Sequence, residues 1–236
     1  MPPTLRAIFL DAAGTLFHLR EPVGETYARI AAVHGINAQP AHLEEAFRAA
    51  WKALPSPLHA EGALPGDDDR SWWRALVART FEAAAPEQEP ARGGLKNDEH
   101  DHAFEQMFTS MYEHFANADA WQLYEDTLPA LERIRSRGGL RLLVLSNFDR
   151  RLHSILKGLG IAHFFDAVIL SSEVGASKPH PRIFQKAITT AGVAASQCLH
   201  VGDDVRCDLE GAEAAGMRAV LVDRPATSLM DIIEWI

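Results

Sequence analysis

An aspartate, Asp11, stands directly after the apolar run Ala7-Ile8-Phe9-Leu10, and the chain then breaks at Gly14-Thr15. A run of that length fits one buried strand and is far too short for a membrane span. In a parallel α/β sheet the carboxyl ends of the strands face the ligand crevice. A carboxylate there can act as nucleophile or metal ligand, and it serves equally well as a turn cap. Comparable groups recur downstream: Ser146-Asn147 follows the apolar stretch Leu140 to Leu145, and Asp203-Asp204 follows Cys198 to Val201. Lys178 comes shortly after the strand-like Ala167 to Leu170, and Asp208 lies about one helical turn beyond Asp203. Carboxylates brought to one edge repel and shift each other's pKa values. A hard divalent cation resolves the conflict, and Mg2+, held by one or two carboxylates with waters and phosphate, is the natural candidate. Each residue also has a plainer reading: Ser146 as a turn residue, Lys178 as a solvated lysine, Asp204 as a loop acid.

Such a site requires strands that end together. From Glu125 onward, helical and strand patterns alternate: Glu125 to Arg137, Leu140 to Leu145, Arg151 to Leu159, Ala167 to Leu170, Pro181 to Ala191, Cys198 to Val201, Leu209 to Ala215 and Ala219 to Val222. Alternation of this kind implies βαβ units, a parallel sheet and right-handed crossovers. Between Phe17 and Asp119 the periodicity is helical throughout, over Pro22 to His34, Ala41 to Leu54, Ser71 to Phe81 and Asp101 to Phe115, with no convincing strand. The stretches Pro55 to Asp69 and Pro86 to Asn97 read as turn-rich loops. Phe104, Phe108, Met111 and Phe115 fall at helical spacing and read as core packing. Asp98-Glu99-His100-Asp101-His102 reads as a charged helix entry rather than a second metal site. The expected architecture is therefore a doubly wound α/β core from residues 1–16 and 120–236, with an all-helical insert over 17–119.

The chain has 236 residues and a formal net charge of −9. That length lets a fold bury roughly 70% or more of its unfolded surface without staples. The negative balance argues against nucleic acid, which wants a basic face, and against an anionic membrane surface. The N-terminal residues Met1 to Arg6 lack the pattern of a signal peptide. Cys198 and Cys207 show no metal-type spacing, which suggests a reducing cytoplasm.

Taken together and in order, Asp11-Ala12-Ala13-Gly14-Thr15, Ser146, Ser177-Lys178-Pro179 and Gly202-Asp203 with Asp208 resemble the motifs of the haloacid dehalogenase superfamily of hydrolases. The helical insert after the first motif resembles that family's C1-type cap. The run Ser146-Asn147-Phe148-Asp149-Arg150-Arg151-Leu152 is similar to the subgroup related to the rhythmically expressed gene 2 product. The resemblance implies an Mg2+-dependent hydrolase acting on a small phosphorylated or otherwise anionic molecule, as a monomer or homodimer. On it, Asp11 is the nucleophile that forms an aspartyl-phosphate. The metal sits with the Asp11 carboxylate, the Ala13 carbonyl and Asp203, while Asp208 orients Lys178 or a metal-bound water. Ser146 and the amide of Asn147 bind phosphoryl oxygens, Lys178 offsets their growing charge, and Gly14 and Thr15 form the phosphate-facing turn.

One position departs from the pattern. The family's second motif-one aspartate, a general acid/base, is Ala13 here. General acid–base catalysis contributes roughly 10²–10⁴ in rate, so three readings stay open. The chain is a phosphohydrolase of modest rate or one whose leaving groups need no proton, such as acyl or anhydride phosphates, a phosphonatase-like hydrolase with Lys52 as imine-forming lysine, or a phospho-ligand binder of low turnover. A 2-haloacid dehalogenase fits least, because that chemistry does without the Gly202-Asp203 pair.

Overall fold

The computed structural model describes residues 4–55, 69–85 and 97–233, with backbone alone over 97–101. The loop readings for Pro55 to Asp69 and Pro86 to Asn97, and most of the side chains from Asp98 to His102, lie outside these residues. In chain order the elements are β1 (Ala7–Leu10), β2 (Phe17–Leu19), α1 (Val23–Val33), α2 (Pro40–Ala53), α3 (Arg70–Ala84) and α4 (Asn97–His114). There follow β3 (Trp121–Leu123), α5 (Thr127–Arg137), β4 (Arg141–Ser146), α6 (Arg151–Gly158), β5 (Ala167–Leu170), α7 (Ser171–Val174) and α8 (Pro181–Ala191). The chain closes with β6 (Cys198–Gly202), a π-helical turn (Val205–Glu210), α9 (Gly211–Ala214), β7 (Arg218–Leu221) and α10 (Leu229–Ile233).

Five strands form one parallel sheet in the order β5-β4-β1-β6-β7. Leu10 is in register with Val144 on one side and Val201 on the other. Strand β1 is therefore central, and the chain winds outward from it first through β4 and β5, then through β6 and β7. The switch in direction lies at the carboxyl end of β1, where ligands of such sheets bind. Ala7, Ile8 and Phe9 are wholly buried, as expected for a strand covered on both faces. One core cluster packs Phe9, Leu143 and Leu145 against Ile183, Phe184 and Ala187 of α8.

The chain divides into two compact units. One contains the N-terminal residues through His18 and everything from Trp121 onward; the other contains Leu19–Pro57 and Asp69–Ala120. Within the second unit, Tyr27, Ile30, Leu43, Val77, Met107, Phe108 and Met111 share a core, with Phe104 and Phe115 against it. Tyr27 meets the rings of Phe47, Phe81 and Phe115 at 5.9, 6.0 and 6.2 Å. The aromatic spacing of the sequence thus marks core packing. Glu44 Oε2 accepts from the Gly24 N–H at 2.8 Å, placing a carboxylate at the positive end of α1.

Short elements differ from the sequence expectation. β2 and β3 form a separate two-stranded sheet where no strand is expected, and Phe17 and Trp121 meet edge to face at 5.2 Å. Ser171-Ser172-Glu173, directly after β5, lies in the short helix α7, for which the sequence pattern gives no helix. No helix among the described residues is long and apolar enough to cross a membrane.

Candidate active site

Asp11 continues the β1 ladder by one bond, its N–H donating to Val201 O at 2.9 Å. The chain then turns on Ala12, whose carbonyl accepts from the N–H groups of Thr15, Leu16 and Phe17. Gly14 has φ +90°, and a Cβ there would lie 2.3 Å from Asp203 Oδ2. Glycine is required twice over: for the backbone and for the approach of the Asp203 carboxylate. Thr15 is buried, its hydroxyl 3.4 Å from Asp203 Oδ1. The turn is tied down from behind. Thr127 Oγ1 donates to Leu16 O at 2.7 Å, and Arg224 donates to Thr15 O at 2.8 Å while pairing with Asp126 at 2.8 Å. The Arg224 guanidinium also stacks 4.1 Å over the Tyr124 ring.

Lys178 closes the arrangement. It is 4% exposed, and its Nζ donates to Asp11 Oδ1 at 2.8 Å and to Asp208 Oδ1 at 2.5 Å. Its backbone is held by Asn147: Oδ1 accepts the Lys178 N–H at 2.6 Å, and Nδ2 donates to Lys178 O at 2.9 Å. The Asn147 side chain, from a residue assigned above to phosphoryl oxygens, is thus occupied with the lysine segment. Ser146 ends β4 and is buried, one strand away from Asp11. Ala13 is half-buried in the turn, its backbone bridged to Phe17.

Asp208 is bound on both oxygens. Oδ1 accepts from Lys178 and from His200 Nε2 at 2.8 Å; Oδ2 accepts from the Asp204 N–H at 3.0 Å. Asp204 is no idle loop acid, since its Oδ1 caps the π-helical turn through the Cys207 N–H at 2.6 Å. A Cβ on Gly202 would lie 2.2 Å from Asp208 Cγ. Because three donors tether Asp208, it cannot swing aside. Gly202→Ala should therefore cost about 1–3 kcal/mol through overpacking, read as a lower urea midpoint at unchanged slope. A midpoint equal to wild type would show that the carboxylate yields.

The charges settle each other unevenly. Burial works against the Lys178 ammonium, but Asp11 and Asp208 outweigh it and hold its pKa above the ordinary range. Burial likewise opposes the Asp208 charge, and Lys178 and His200 overcome it, keeping that carboxyl well below the usual carboxylate range. Asp203, which is exposed, is less fully compensated, Lys178 offsetting only part of what raises its pKa. Desolvation, then the nearby Asp11 and Asp208, push its pKa up to about 6. One carboxylate oxygen from each of Asp11, Asp203 and Asp208 lies within 4.8 Å of the others. Oxygen donors, excess negative charge and one carboxyl only partly compensated match what a hard divalent ion requires. Lys52, by contrast, is an exposed residue of the last turn of α2.

The sequence reading missed four participants: His200, Asp126, Thr127 and Arg224. His200 alone left a signal, an imidazole inside the apolar run Cys198-Leu199-His200-Val201.

A family model for haloacid dehalogenase-like hydrolases matches residues 5–216. The human haloacid dehalogenase-like hydrolase domain-containing protein 3 is 37% identical over 221 residues, spanning 94% of this chain and 83% of the relative. The rhythmically expressed gene 2 protein of Drosophila melanogaster is 30% identical over 225 residues, spanning 92% and 82%. Among solved structures, the HAD-hydrolase YfnB from Bacillus subtilis, bound to magnesium, superposes with a TM-score of 0.64 at 17% identity, covering 95% of this chain and 92% of that one. At that identity the likeness speaks to fold alone.

Proposed function

The chain belongs to the haloacid dehalogenase-like hydrolases, and from that premise we propose that it moves a phosphoryl group from a small phosphorylated molecule to water, with Mg2+ as cofactor. The observation that carries the reading is the buried Lys178 ammonium bridging Asp11 Oδ1 and Asp208 Oδ1, beside an Asp203 whose carboxyl is pushed up to about 6 by desolvation and by Asp11 and Asp208. Asp11, Asp203 and the Ala13 carbonyl would hold the cation, which when bound neutralises phosphate charge and aligns the phosphoryl group.

Asp11 is the nucleophile. One oxygen of its carboxylate forms the new bond to phosphorus, and the bond from phosphorus to the leaving oxygen breaks with its electron pair. Ser146 and the turn at Gly14 and Thr15 orient the phosphoryl oxygens, and Lys178 offsets the charge that grows on them. In the second displacement a water oxygen bonds to phosphorus, the Asp11–phosphorus bond breaks to return the Asp11 carboxylate, and both protons of the water leave on inorganic phosphate. Asp208 does not touch the reacting group; it fixes Lys178.

Ala13 sets the substrate class. With no acid beside the leaving oxygen, that oxygen departs as an anion, which favours acyl, anhydride and aryl phosphates over sugar or alkyl phosphates. The test is phosphate release from acetyl phosphate, an aryl phosphate and a sugar phosphate, each with Mg2+ and after chelation. We expect Mg2+-dependent release in that descending order. Hydrolysis of none of them, with no binding of beryllium fluoride, would favour a phospho-ligand binder of negligible turnover.

A further inference from the structure

We propose that His200 is a positioning residue of this site, donating its Nε2–H to Asp208 Oδ1 and thereby fixing the orientation from which Asp208 holds Lys178; this rests on the roles given above to Asp11 and Lys178. His200 lies within β6, in register with Phe9 of β1 and Ala219 of β7, and is fully buried. Its ring meets the Phe184 ring edge to face at 6.0 Å. An aliphatic or phenyl side chain would suit these surroundings, so packing does not account for an imidazole.

Nor does hydrogen-bond satisfaction. Nδ1 is buried with no hydrogen-bond partner among the described residues, and an unpaired buried nitrogen costs free energy that an apolar residue would not. What the imidazole supplies is the single bond from Nε2 to Asp208 Oδ1, 2.8 Å long. Asp208, ionised beside the lysine, can only accept, so the proton must sit on Nε2 and the lone pair on Nδ1. Burial pushes the His200 pKa down and Lys178 adds to that, with Asp208 working the other way; a neutral ring fits this pattern.

Geometry gives the bond its consequence. Oδ2 of Asp208 is held by a single backbone N–H, from Asp204, and Oδ1 by Lys178 and His200. Without His200 each oxygen keeps a single donor, so the carboxylate is held less firmly about its Cβ–Cγ bond, and with it the ammonium that it shares with Asp11.

The test compares His200→Leu and His200→Gln in the full chain. The leucine variant removes the donor and the orphaned nitrogen together, whereas the glutamine amide can reach Asp208 with an N–H. For the leucine variant we expect a thermal midpoint no lower than wild type but a kcat for acetyl phosphate reduced roughly tenfold to a hundredfold with KM little changed. For glutamine we expect recovery of most of that loss. A leucine variant as active as wild type, or both variants falling equally and in step with stability, overturns the proposal. A spectroscopic arm keeps it separate from the phosphatase reading. In nitrogen-15 spectra of wild-type protein, His200 should show the Nε2–H tautomer with a slowly exchanging proton. Hydrolysis of no phosphate would sink the phosphatase reading, whereas an Nδ1–H tautomer or a freely exchanging proton would by itself sink the role of His200.

Discussion

Replacing Asp11 by asparagine is expected to remove turnover, with a loss on the order of 10⁴-fold or more, as when a covalent nucleophile is deleted. An amide oxygen can still accept from Lys178, so the side chain keeps its shape and its contact while losing its ability to bond to phosphorus. Lys178 also retains Asp208 at 2.5 Å, which keeps the buried ammonium from being stranded. Removing one partner of a buried ion pair can cost about 3–5 kcal/mol; here the surviving carboxylate should hold the loss below that. Two measurements decide the matter: phosphate release under saturating Mg2+, and phosphorus label retained on acid-quenched enzyme. Label on wild type and none on the variant is the expected pair. Turnover within tenfold of wild type would move the nucleophile elsewhere.

How much of this was visible in the sequence follows from what periodicity can encode. The parallel sheet was legible because β1, β4, β5 and β6 are apolar runs of the right length, broken by polar residues at the end that faces the crevice. Asp11 and Asp203 were legible for the same reason, whereas Lys178, eight residues beyond β5, was legible through the motif Ser177-Lys178-Pro179. The three-residue strands β2 and β3 were not, since Phe17-His18-Leu19 and Trp121-Gln122-Leu123 are too short to set an alternation apart from a helical face. The supports of the site were hidden by sequence distance. Asn147 and Lys178 are 31 residues apart and Thr15 and Arg224 are 209 apart, and no local pattern encodes such pairings. Ala13 is the reverse case: the sequence exposed the missing carboxylate at once, and the fold around it gives no sign of the change.

Restoring that carboxylate is the second large effect. Ala13 is half-buried in a turn whose bonds run through the backbone of Ala12, Gly14 and Phe17, so Ala13→Asp alters no bond on which the turn depends. Its new carboxyl would join Asp11 and Asp203, and the desolvation and neighbouring like charge that lift Asp203 to about 6 would raise its pKa too. A raised pKa is what a general acid needs near neutral pH. Sugar and alkyl phosphates, whose leaving oxygens need a proton, should then gain roughly 10²–10⁴ in kcat. Acetyl phosphate should change little, because its leaving group is stable as an anion. The measurement is kcat across phosphates graded by leaving-group pKa. Wild type should give a steep decline as the leaving group becomes more basic, and Ala13→Asp a shallow one. Equal slopes in the two proteins, with Mg2+ affinity preserved, would mean that proton delivery to the leaving oxygen is not what limits this enzyme.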